Sequence, residues 1–85
     1  MFYVYILKSI KDSDFYTGST DDLKKRFLEH NNGLVKSTKM RRPFKLVYYE
    51  AYSAEQDARL REARLKQRSR ALAQLKGRIM NSLKT

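Results

Sequence analysis

Eighty-five residues carry 19 Lys and Arg against nine Asp and Glu, one His and no Cys, for a formal net charge of +10. A chain this short closes around one modest core, burying roughly 60–65% of its unfolded surface. Without cysteine it makes no disulfide, thiolate metal site or zinc finger, and no apolar run approaches the ~20 residues of a membrane span. So large a positive excess attracts polyanions, nucleic acid foremost, with an acidic protein or a membrane surface as the other partners it would fit. A chain that begins directly in strand-like sequence, with no leader, is expected in the cytoplasm.

Residues 2–7 alternate Phe2, Val4 and Ile6 with Tyr3, Tyr5 and Leu7, the two-residue period of a strand with two different faces. Tyr16-Thr17-Gly18 reads as its hairpin partner, and the turn-rich residues 8–14 form the loop between them. Tyr5 and Tyr16 are then neighbours across the pair, which half-buried packing alone would also produce. Gly18 reads as easing the exit from strand to helix.

Ser19 and Thr20 are candidate N-caps of a first helix, with Asp21 and Asp22 in its first turn. Leu23, Phe27 and His30 form its inward stripe, and Asn31, Asn32 and Gly33 supply its exit. Arg26 falls at the edge of that stripe, one turn before His30. Residues 34–42 show no period and read as a basic loop with interspersed hydroxyls. Lys36, Lys39, Arg41 and Arg42 there suit phosphate contacts or an ordinary solvated surface. After Pro43, residues 44–52 have the composition of a third strand.

Ser53 to Gln56 has capping-box spacing ahead of a helix over 54–67. Ala58, Glu62 and Leu65 share one face of it, so a carboxylate interrupts an apolar stripe. Such a group needs a cation, a metal or a solvated cleft, and one of the many arginines would serve. Ser69 caps a last helix with Leu72, Leu75, Ile79 and Leu83 on one side, either a lid on the sheet or a surface for a homodimer or protein partner. The order β-β-α-β-α-α predicts an α/β (α+β) fold: one domain over 1–85, with a small, antiparallel three-stranded sheet flanked by helices.

Together these residues resemble the GIY-YIG nuclease family, and in particular its small stand-alone bacterial members, similar to the N-terminal nuclease module of the excision-repair incision subunit. Tyr3-Val4-Tyr5 stands at the first motif, with Tyr3 in place of its glycine, and Tyr16-Thr17-Gly18 at the second, with Thr17 in place of its isoleucine. The family's helix arginine falls on Arg26, the following His or Tyr on His30, and its metal-binding glutamate on Glu62. A polar residue that many members carry after the glutamate has no counterpart here.

The resemblance implies a DNA-repair type of chemistry: hydrolysis of DNA phosphodiester bonds with one Mg2+ or Mn2+, directed by structure more than by sequence. It implies Glu62 as metal ligand, Arg26 on the phosphate and Tyr5 or Tyr16 as general base, the base's pKa depressed by the metal and Arg26. His30 would relay a proton or bind phosphate, and all five residues are expected on one concave surface. The alternative is a nucleic-acid-binding module on the same scaffold with little or no chemistry.

Overall fold

The core is set by a strand buried on both faces: Val4, Tyr5, Ile6 and Leu7 are all between 0% and 2% exposed. In the computed structural model, which describes residues 1–66 and 68–85, β1 (Phe2–Ser9) is the middle strand of a three-stranded sheet. It lies between β2 (Phe15–Thr20) and β3 (Phe44–Tyr52), antiparallel to both. The odd and even residues of β1 therefore serve two separate packing layers. Val4 and Ile6 meet Ala58 and Leu65 of α2 (Glu55–Arg64) and Leu72 and Leu75 of α3 (Arg70–Arg78). Tyr5 and Leu7 meet Phe44 on the opposite face, where Leu23 and Phe27 of α1 (Leu23–Asn31) pack. The predicted α+β architecture, element order and antiparallel sheet are all found.

Helix starts differ from the sequence reading. Asp22, not Ser19 or Thr20, caps α1, its carboxylate accepting from the Lys25 amide at 3.1 Å. Thr20 is still paired with Tyr3 in the sheet, and the Ser19 hydroxyl is turned to Glu62. The capping box at Ser53 does not form either. Ala54 is the N-cap of α2 and lends no side-chain hydrogen bond, because β3 runs to Tyr52 and the chain uses two residues to turn. The helix ends at Arg64, and the expected end at Gln67 lies outside the described residues.

Ser69 does cap α3, accepting from the Leu72 amide at 3.0 Å. The expected single last helix is broken at Ile79 (φ −120°, ψ 30°), and α4 (Met80–Leu83) follows. Leu72 and Leu75 are buried in the core on this face of the sheet, with Ile79 packed beside them, so this part of the stripe forms a lid on the core. Across the same face, Glu50 of β3 accepts from Tyr48, from Tyr52 and from both Arg61 Nε (2.9 Å) and a terminal nitrogen (3.0 Å), which clamps α2 to the sheet. Among the described residues no helix is long and apolar enough to cross a membrane.

Gly77 is an exposed residue inside α3, and a Cβ there would meet nothing within 4 Å. Gly77→Ala should therefore stabilise the protein by up to about 1 kcal/mol, seen as a rise of roughly 4–8 °C in the thermal midpoint. A fall in the midpoint would mean that this turn is not the open helix described.

Candidate functional site

The hairpin register places Gly18 opposite Tyr5 and Tyr16 opposite Leu7. Tyr5 lies flat across Gly18: a Cβ built there would run into the tyrosine ring and its hydroxyl. Gly18 has no positive φ, so the glycine is needed for close approach and not for the turn the sequence suggested. The absence of a side chain at 18 lets the Tyr5 hydroxyl reach across the edge strand.

That hydroxyl lies 2.8 Å from His30 Nε2, and His30 Nδ1 lies 2.8 Å from the Thr38 hydroxyl. His30 and Thr38 are both fully buried. The imidazole stands edge-on to Tyr16, Tyr5 and Phe44, at centroid distances of 5.1, 5.7 and 6.0 Å. Arg26, one turn earlier on α1, is ion-paired with Glu29 at 3.2 Å and sits beside the Tyr5 hydroxyl. Burial pushes Tyr5 up to about 12, with the Arg26 guanidinium pulling the other way and losing. Burial, reinforced by the Arg26 charge, pushes His30 down to about 4. Both groups are uncharged at neutral pH. Arg26 alone thus does not depress Tyr5 below its ordinary value, and a fully buried His30 is out of reach of a phosphate.

Glu62 approaches from the other layer. Its helix, α2, covers the Val4 and Ile6 face, and its carboxylate meets edge strand β2, accepting from Ser19 Oγ at 2.7 Å and Lys66 Nζ at 3.2 Å. The five expected residues therefore do not share one side of the sheet. Tyr5, Tyr16, Arg26 and His30 cluster on the α1 side, and Glu62 lies over the opposite face, at the strand edge next to Gly18. Its charge is still felt at Tyr5. Among the described residues no arginine is paired with it, and Arg61, its neighbour on α2, is taken by Glu50.

Two hollows flank this stretch of β2. A cleft of about 370 Å³ between α1 and α2 is lined by Ser19 and Thr20, by the cations Lys25, Arg26 and Arg59, and by the carboxylates of Asp21, Asp22, Glu29 and Glu55. A recess of about 200 Å³ holds Tyr16 and Thr17 with Arg41, Lys66 and Lys76. Of the four cations expected to bind phosphate, only Arg41 lines either hollow, and it is paired with Asp12 at 2.8 Å. Lys36, Lys39 and Arg42 are exposed on a segment that is not a plain loop: it buries Val35 and Thr38 and contains a 3-10 turn at Lys39–Arg41. Lys66, Lys76 and Thr38 were missed. Thr38 carried no periodic signal and was read as one hydroxyl among several in a basic stretch.

Among the described residues no three His, Cys, Asp or Glu side chains converge as a metal cluster. The donors at the β2 edge are one carboxylate, Glu62, and one hydroxyl, Ser19, both hard oxygens. Such a set fits a largely hydrated Mg2+ or Mn2+ held through a single protein ligand.

By fold and sequence the chain is a GIY-YIG domain. The family profile for the GIY-YIG catalytic domain matches residues 1–76, and the chain belongs to this family, which is of nuclease type. Its relatives include a UPF0213 protein of Staphylococcus saprophyticus, 46% identical over 69 residues, which span 80% of this chain and 83% of the relative. A UPF0213 protein of Clostridium perfringens is 48% identical over 71 residues, 82% of this chain and 75% of the relative. The solution NMR structure of a UPF0213 protein from Bacillus halodurans superposes with a TM-score of 0.55 at 38% identity, covering 96% of this chain and 93% of that one.

Two expectations follow from the geometry. Gly18→Ala forces the Tyr5 ring aside and should destabilise the fold by about 1–3 kcal/mol, a penalty that largely vanishes in a Tyr5→Leu background; equal penalties in both backgrounds would show that the two residues do not compete for space. His30, held at about 4 against its ordinary 6.5, contributes stability in full above pH 6.5 and loses it as pH falls towards 4, because the unfolded chain takes up the proton first. Urea titrations across this range should show the drop, on the order of 2–3 kcal/mol, and should not show it in His30→Gln.

Proposed function

We propose that residues 1–85 act as one metal-dependent nuclease domain hydrolysing phosphodiester bonds in DNA, choosing substrates by structure with weak sequence preference. The observation that carries this reading is the buried pair at 2.8 Å, Tyr5 hydroxyl to His30 Nε2, beside Arg26 and with Glu62 at the adjoining strand edge. Lys66 and Lys76 of the smaller recess, with Arg26 at the cleft edge, engage the sugar-phosphate backbone, which positions a duplex or branched end without reading bases.

Arg26 offers a fixed cationic fork to the phosphate and meets the charge that accumulates on it. Tyr5, at about 12, keeps its proton at neutral pH. It accepts a proton from an attacking water only while releasing its own, and His30 Nε2 is the neighbouring acceptor. In the free protein His30 is a weak acceptor. Burial is the larger cause of that weakness and the Arg26 charge the smaller, and a phosphate drawn against Arg26 offsets the guanidinium's repulsion of an imidazolium. Tyr16, ring-to-ring with His30, limits where the water can stand. Glu62 would hold the Mg2+ or Mn2+, which when bound supplies a Lewis acid for the phosphate and the leaving oxygen.

Glu62→Gln separates this reading from a binding module without chemistry. Its cation, Lys66, is 57% exposed and α2 is clamped by Arg61, so the exchange should alter stability by less than about 1 kcal/mol. On branched, nicked and single-stranded DNA with Mg2+ or Mn2+, wild-type protein should cleave and Glu62→Gln should fall at least about 100-fold, with DNA affinity equal or higher. A wild-type protein that binds all three substrates and cuts none would establish the non-catalytic alternative. An unfolded Glu62→Gln would sink the metal-ligand role.

A further inference from the structure

We infer that Thr38 is a positioning residue for this site: its hydroxyl holds His30 in the Nδ1–H tautomer and so keeps Nε2 bare towards the Tyr5 hydroxyl. The inference rests on the nuclease reading for its consequence, not for its geometry. Thr38 is fully buried, its oxygen 2.8 Å from His30 Nδ1 and 3.4 Å from the Val35 carbonyl. A hydroxyl has one proton to give. Given to the Val35 carbonyl, which can only accept, it leaves the oxygen to receive Nδ1–H.

The other end of the imidazole reaches the same answer. Tyr5 is neutral, so its own O–H must find an acceptor in a buried place. Around the pair, Arg26 on α1 only donates, Phe44 of β3 offers a ring, Glu29 is occupied by Arg26, and Glu62, felt from the other face, accepts from Ser19 and Lys66. Tyr16 of β2 meets the imidazole with its ring. His30 Nε2 is the acceptor at hydrogen-bond distance, which requires that the histidine proton be on Nδ1, facing Thr38. The opposite tautomer would aim Nε2–H and Arg26 together at a phenol that keeps its own proton.

The orientation decides whether His30 can take a proton. With Nδ1–H held by Thr38, the water proton passes to the Tyr5 oxygen as the Tyr5 proton passes to Nε2. Tyr5 stays neutral, His30 becomes imidazolium, and hydroxide is delivered to phosphorus. With Nε2–H facing Tyr5 no such transfer exists. The segment of residues 34–42 thus acts on the chemistry from inside the fold, through a threonine that never touches substrate.

Long-range proton–nitrogen NMR on nitrogen-labelled protein reads the tautomer directly, with no dependence on activity. Wild type and Thr38→Ser should both show His30 protonated on Nδ1. Thr38→Val, which keeps the shape and removes the hydroxyl, should shift the population to Nε2–H, and its kcat for DNA cleavage should fall tenfold or more. KM and DNA affinity should stay within twofold, and Thr38→Ser should recover most of the rate. Wild-type His30 found as Nε2–H overturns the inference, as does an unchanged tautomer in Thr38→Val or equal impairment of the Ser and Val variants. If Thr38→Val does not fold, the wild-type tautomer and the Ser variant decide. A protein with the expected tautomers that cleaves no DNA in any form would fail the nuclease reading while leaving the hold of Thr38 on His30 in place.

Discussion

The contact on which the rest of the site depends is Tyr5 lying across Gly18 to reach His30. A phenol buried in the middle strand is tolerable only if its hydroxyl is paired, since an orphaned hydroxyl in an apolar layer costs on the order of 1–3 kcal/mol. The partner cannot come from β2, where the opposing residue is glycine. It comes from α1, and the hydrogen bond fixes how that helix sits on the sheet. His30 in turn needs a partner for its second nitrogen, and Thr38 draws residues 34–42 inward to provide it. One close approach in the hairpin thus organises a helix and a loop. Among the described residues no buried side-chain nitrogen or oxygen lacks a partner, as a closed polar chain of this kind requires.

Two glutamates on the other face show how position separates structure from chemistry. Glu50 has Arg61 and two tyrosine hydroxyls, and although burial opposes its charge, these partners hold its carboxyl down at about 2. It is saturated, and it anchors α2. Glu62 stands one residue beyond Arg61 on the same helix but turns to the strand edge, with a hydroxyl and an exposed lysine for company. Its cation is a lysine on a long solvated stem, which suits the metal-binding role proposed for this carboxylate.

Much of this was legible in the sequence, and the reasons for the misses are physical. Two-residue alternation in residues 2–7 and strand composition in 44–52 gave the sheet, and the stripe of Leu23, Phe27 and His30 gave the inward face of α1. Pattern says which residues face inward but not against what, so the separation of Tyr5 and Glu62 into opposite layers was invisible. It arises because a strand covered on both faces sends its odd and even side chains to different helices. Cap signals failed where a hydroxyl had a better partner: Ser19 took Glu62, and Thr20 stayed in the sheet. Gly18 looked like a turn residue because sequence records flexibility and lack of bulk in the same letter. Thr38 had no period to betray it, since its burial depends on His30, eight positions earlier and on another element.

The resting site is also more restrained than its residue list suggests. A tyrosine and a histidine 2.8 Å apart would be a poised acid–base pair in water, but burial drives Tyr5 up to about 12 and His30 down to about 4. The neutral, hydrogen-bonded form is therefore held firmly, and no phenolate waits in the free protein. Arg26 bears on both members of the pair: its charge favours a phenolate and opposes an imidazolium. In the proposed mechanism Tyr5 passes on one proton as it takes another and stays neutral. A phosphate on Arg26 therefore relieves the opposition to an imidazolium and leaves burial as the larger restraint on His30. A net charge of +10 attracts polyanions of every kind, and in the proposed mechanism the water would gain a better proton acceptor once a phosphate stands against Arg26.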